Sequence, residues 1–106
     1  MTRTRKLSSL EARRQYLQEK FLKGLRPYGA IDTIKHHRIE IINLQDSLAH
    51  DPILRAVQQR HHHQRILLIT EEMLKRQEPD FQQYFQSRQQ EAQQELDACE
   101  LLISGG

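Results

Sequence analysis

Two groups of histidines, His36-His37 and His61-His62-His63, are the residues of this chain best suited to chemistry. Neutral imidazole binds Zn or Cu, and its proton comes and goes near neutral pH, so clustered histidines offer either a metal site or a charge switch. His50-Asp51 lies midway between the groups. A chain folded back there pairs residues whose numbers sum to about 101, setting His37 opposite Gln64 and Glu40 opposite His61. The spacing argues against a metal. Adjacent helical residues point about 100° apart, so His61, His62 and His63 cannot converge on one ion. No two histidines stand four apart, and no His-Glu-x-x-His or Cys-His set occurs. No metal and no cofactor are expected; the histidines should be exposed, with one or two packed at the edge of an apolar stripe.

Other reactive groups are sparser. Glu71 and Glu72 diverge on a helix, whereas Glu91 and Glu95 share a face that looks wet. Ser8, Ser9, Ser47 and Ser87 lack a His-Asp arrangement, and there is no Gly-rich loop or nucleophile elbow. Cys99 lies on an apolar stripe and reads as a small core residue, not a nucleophile. Neither catalysis nor a small-molecule substrate is expected.

Charge is the stronger hint. Residues 1–26 hold eight basic side chains against two acidic ones, whereas residues 78–106 hold Arg88 against six carboxylates. The whole-chain net of +2 conceals this gradient. One end should therefore seek an acidic surface, either nucleic acid or protein. The basic set is Arg3, Arg5, Lys6, Arg13, Arg14, Lys20, Lys23 and Arg26, with Tyr16 and Tyr28 available for stacking on single-stranded bases. No helix-turn-helix, RNP or zinc-finger pattern accompanies them, so such binding would be electrostatic and weakly selective.

These side chains need elements to hold them. With 106 residues, 37% hydrophobic and 28% charged, the chain suits long helices with a narrow apolar stripe. Residues 1–7 read as a flexible basic arm and 8–104 as one helical domain. Ser8-Ser9-Leu10-Glu11 offers a capping box for a first helix with Leu10, Arg14, Leu17, Phe21 and Leu25 on one face. Pro27 should stop that helix near Leu25, and Pro27-Tyr28-Gly29 reads as a turn. A second helix is expected over 30–49, striped by Ile34, His37, Ile41, Leu44 and Leu48 and widened by Ile31, Ile39 and Ile42. Asp51-Pro52 should start a third helix running to about Gln77, with Leu54, Val57, His61, Ile66, Leu68, Ile69 and Met73 inward. Glu78-Pro79-Asp80 repeats that punctuation before a fourth helix striped by Phe81, Phe85, Arg88, Ala92, Leu96, Cys99 and Ile103.

Short connections favour an all-α, up-and-down bundle of three long helices plus one shorter N-terminal helix, with dimerisation as an option. The rival is a small α/β fold with strands near 38–42 and 65–70, where β-branched residues gather. The longest wholly apolar run, Ile66-Leu67-Leu68-Ile69, is far too short for a membrane span, so no membrane role is expected. Met1–Lys6 leads into polar residues rather than an apolar stretch, so no secretory leader is expected, and a lone cysteine suits a cytoplasmic setting. The expected function is a non-enzymatic helical interaction protein (adaptor, chaperone-like or accessory subunit). It would bind a protein partner or itself through an apolar seam of Leu44, Leu48, Leu54, Val57, Phe81, Phe85 and Leu96. The alternative is a nucleic-acid-binding accessory protein using the basic arm and first helix.

Overall fold

The structure is a computed structural model and describes residues 12–13, 15–16 and 18–105. The basic arm and the capping box over 8–11 lie outside the described residues. The first helix, α1, is helical at 12–13, 15–16 and 18–24 and stops before Leu25-Arg26, as the proline at 27 requires. Arg26 is extended (φ −92°, ψ 160°), the conformation a residue before proline prefers.

The second helix, α2, spans Pro27–Ser47, the third, α3, Pro52–Lys75, and the fourth, α4, Gln82–Ile103, entered through a 3-10 turn at Pro79–Phe81. One expectation fails here. Pro27-Tyr28-Gly29 is not a turn but the first turn of α2, because Pro27 itself fits the opening helical position, where its missing amide costs nothing. The Asp51-Pro52 start is as expected: Asp51 accepts a hydrogen bond from the Leu54 amide at 3.1 Å. α3 closes two residues early, with Gln77 turned to φ 54° in the left-handed region. The rival strands are also overturned. Residues 38–42 and 65–70 sit inside α2 and α3, and no strand occurs among the described residues. Long flanking helical pattern outweighs the local β-branched content.

The arrangement is an up-and-down helical bundle in which α3 packs against α2 on one flank and α4 on the other. With extents of 42 × 40 × 22 Å, it is a slab about two helix diameters thick. The inward stripe of α3 is Ala56, Gln59, His63, Ile66, Thr70 and Met73, with Leu67 and Ile69 flanking it. That stripe divides the molecule. Ile66, Leu67, Ile69 and Met73 meet Ala30 and Ile34 of α2 and Phe85 and Ala92 of α4 in one apolar cluster. At the other end the same stripe offers only Ala56, Gln59 and His63, with Cys99 from α4. One end of the bundle is filled with large aliphatic and aromatic side chains, and the other with small and polar ones.

Arg76 fastens α1 to the filled end. Its guanidinium pairs with Glu72 at 3.3 Å and donates to the Leu25, Leu22 and Lys23 carbonyls, the last two at 2.7 and 3.4 Å. These carbonyls lie at the end of α1, so one side chain caps the helix and docks it. Leu22 and Leu25 pack on the core, whereas Phe21, expected on the inward stripe, is half exposed. Tyr28 meets Phe81 edge to face with ring centroids 5.3 Å apart, joining the two proline corners.

Candidate functional site

The fold-back about His50-Asp51 brings the histidine groups to one level. His37 Nδ1 and His62 Nδ1 are 2.9 Å apart, so one ring must donate its proton and the other accept. His36 stacks edge-on to His37, and His61 to His62. His37 loses basicity, to a pKa of about 4, first because burial penalises the charged ring and then because His62, His36, His61 and Arg65 repel its charge. Burial also lowers the pKa of His62, which His61 lowers further and Glu40 partly restores. His63 points to the other face of α3, where burial lowers its pKa against the pull of Glu95 and Glu91. Among the described residues no group of three or more histidine, cysteine, aspartate or glutamate side chains is placed to hold a metal.

Depressions flank this level on both sides. Between α1, α2 and α3 lies a cleft of about 300 Å³ whose apolar wall is Phe21, Leu22, Leu68 and Ile69 and whose polar rim is His37, His61 and Arg65. Between α2 and α4 a groove of about 200 Å³ is lined by Ile41, Ile42 and His63, with Arg38, Glu91 and Glu95 at its edges. Arg38 spans the groove to Glu91 at 3.1 Å. Below it Gln59 donates to the Ile41 carbonyl at 3.0 Å and to Gln45 Oε1 at 3.1 Å. Cys99 is buried, and burial followed by Glu95 and Glu100 pushes its thiol pKa up.

The seam residues divide. Phe85 is 1% exposed and belongs to the core, and Phe81 and Leu96 pack against that core. Leu44 on α2 and Leu48, the residue that ends that helix, are half-buried. Leu54 and Val57 are exposed at the start of α3. The structure adds residues the stripes did not single out: Ile53, Leu101 and Leu102 are all large, apolar and exposed. The Arg60–Glu100 ion pair at 3.7 Å sets α3 beside α4, so Ile53, Leu54 and Val57 share one end of the slab with Leu101 and Leu102. This is the end without an apolar core. Ile39 and Ile42, expected to widen the inward stripe, are exposed instead, because Ile34 and Ile41 already fill the inward angle.

Of the basic set, Arg3, Arg5, Lys6 and Arg14 fall outside the described residues. Arg13, Lys20, Lys23 and Arg26 are exposed beside the exposed Tyr16 and Phe21. None of these four forms an ion pair among the described residues. The inward Gln59 and His63 and the capping Arg76 also escaped the sequence reading. Counting back by fours and threes from Met73 through Ile66 reaches His63, Gln59 and Ala56, which was the available signal.

No helix among the described residues is long and apolar enough to cross a membrane. Comparison with protein-family models, with curated proteins and with solved structures returns no match.

Proposed function

We propose that this chain is a non-enzymatic helical interaction protein of the adaptor or accessory kind, whose open end seats a helix from a second copy. The carrying observation is the reversal of burial at that end. Ala56, Gln59 and Cys99 lie inside while Ile53, Leu54, Val57, Leu101 and Leu102 lie outside. Apolar surface gathered in this way is stabilised by being covered. The occupant is argued from charge. The open end is flanked by Glu95, Asp97 and Glu100, whereas α1 carries Lys20 and Lys23, with Arg26 just past its end, beside exposed Tyr16 and Phe21. Within one chain α1 is fastened at the opposite, filled end. A two-fold pair would let each basic, partly aromatic α1 lie on the acidic, apolar end of its neighbour, twice over. A buried, unpaired cysteine and the lack of a membrane-length helix among the described residues are compatible with a cytoplasmic setting.

Sedimentation velocity tests this reading. The wild type should associate with rising concentration, and Val57→Asp with Leu101→Asp should keep the chain monomeric without loss of helical content. Wild-type protein that stays monomeric at high concentration contradicts it.

A second reading has its own observation. Arg13, Lys20, Lys23 and Arg26 are all exposed beside Tyr16, which suits phosphate contacts with stacking. Retention on heparin that weakens steeply with salt and is lost in Lys20→Glu/Lys23→Glu would support it; flow-through at low salt removes it.

A further inference from the structure

We propose that the cleft between α1, α2 and α3 binds a small amphipathic carboxylate, an organic acid with an apolar body. The cleft holds about 300 Å³, enough for a modest organic molecule and too little for a peptide helix. Leu22, Leu68 and Ile69 give it an apolar wall, and His37, His61 and Arg65 stand along its rim. Among the described residues, none that lines it is acidic. Arg65 forms no ion pair among the described residues, unlike Arg38, Arg60, Arg76 and Arg88. A guanidinium at the mouth of an apolar recess, with no countercharge among the described residues, is what an organic anion would complete.

The chemistry selects a carboxylate. One guanidinium presents a fork that matches two carboxylate oxygens. A dianionic phosphate would call for more fixed positive charge than this rim supplies. The carboxylates nearby also oppose a multiply charged ligand. Glu40 acts on His62, Glu71 borders the next depression beyond Leu68, and Glu19 borders another. His37 has its Nδ1 committed to His62, which leaves Nε2 as its ring nitrogen without a described partner. His61 stands one helical turn from Arg65 on α3, within reach of the same anion. The apolar wall then takes the ligand's body out of water, which inorganic anions cannot exploit.

The probe is octanoate, titrated into the full chain and followed by amide and arginine side-chain NMR. Saturable shifts should be confined to Phe21–Leu22, His37 and residues 61–69. Octanol, with the same body and no charge, should bind about ten-fold or more weakly, and Arg65→Gln should weaken octanoate by a similar factor. Arg65→Lys keeps the charge without the fork and should fall between. Lys35→Gln, another exposed cation on α2, should change nothing. Shifts scattered over the surface, absence of saturation, equal binding of octanol, or wild-type affinity in Arg65→Gln would each overturn the assignment. If Arg65→Gln loses helical content, Arg65→Lys and the octanol comparison decide alone.

Discussion

His37 and His62 touch through their Nδ1 atoms at 2.9 Å, twenty-five residues apart in sequence, and so clamp the middle of α2 to α3. The contact works with one proton between the two nitrogens and fails with two. The groups acting on it are His36 and His61, Arg65, and the lone carboxylate of Glu40.

A pH dependence follows with a definite sign. The pKa of His37 is lowered on folding from 6.5 to about 4, and those of His62 and His63 are lowered too. Between those values the unfolded chain binds more protons than the folded one, so stability rises with pH. The contribution is complete above pH 6.5 and lost as pH falls toward 4. For the partly exposed His37, screening reduces it to about 1–2 kcal/mol. Urea unfolding at pH 7.0 and 5.0 should show a lower midpoint at pH 5.0, with the drop reduced in His37→Gln. An unchanged drop in that variant would remove the clamp from the explanation.

Arg76→Ala should free α1 without unfolding the rest. The guanidinium serves three carbonyls at the end of α1, and charge-assisted hydrogen bonds of this kind contribute about 1.5–3 kcal/mol. Hydrogen exchange should quicken over residues 18–24 while α3 amides near Ile66 keep their protection. Uniform quickening across both helices would show that α1 and the core form one cooperative unit.

Phe85 and Leu101 should respond oppositely to truncation. Phe85→Ala empties a fully buried site and should cost about 3–5 kcal/mol. Leu101→Ala removes a side chain that is two-thirds exposed and should leave the isolated chain within about 0.5 kcal/mol of wild type. Chemical denaturation at low protein concentration separates the two. Phe85, expected in the seam, therefore cannot report on a partner, because an acidic substitution there would unfold the chain before it could reveal a surface.

The elements were legible where punctuation and stripe agreed. Asp51-Pro52 and Glu78-Pro79 mark real helix starts, and the Phe85–Arg88–Ala92–Leu96–Cys99 stripe lies inward throughout. Pro27 misled because a proline after a glycine-weakened helix resembles a turn yet equally opens a helix. The site was harder to see for a related reason. On α3 the apolar Leu54 and Val57 are expected to define the inward face, but the true stripe there is Ala56, Gln59 and His63. Gln59 is acceptable inside because both its contacts are hydrogen bonds, to the Ile41 carbonyl and to Gln45, and neither can be read from residue type. Large apolar residues were thus assigned to the core when they lie on the surface.

Intermolecular paramagnetic relaxation tests the central claim that the open end seats α1 of another copy. A spin label at Ala12→Cys in a Cys99→Ser background would be mixed with isotopically labelled, label-free protein. Broadening should concentrate on the amides of Ile42, Ile53, Val57, Leu101 and Leu102 and weaken with salt. Broadening absent under associating conditions, or centred on Ile34 and Met73 at the filled end, would contradict it.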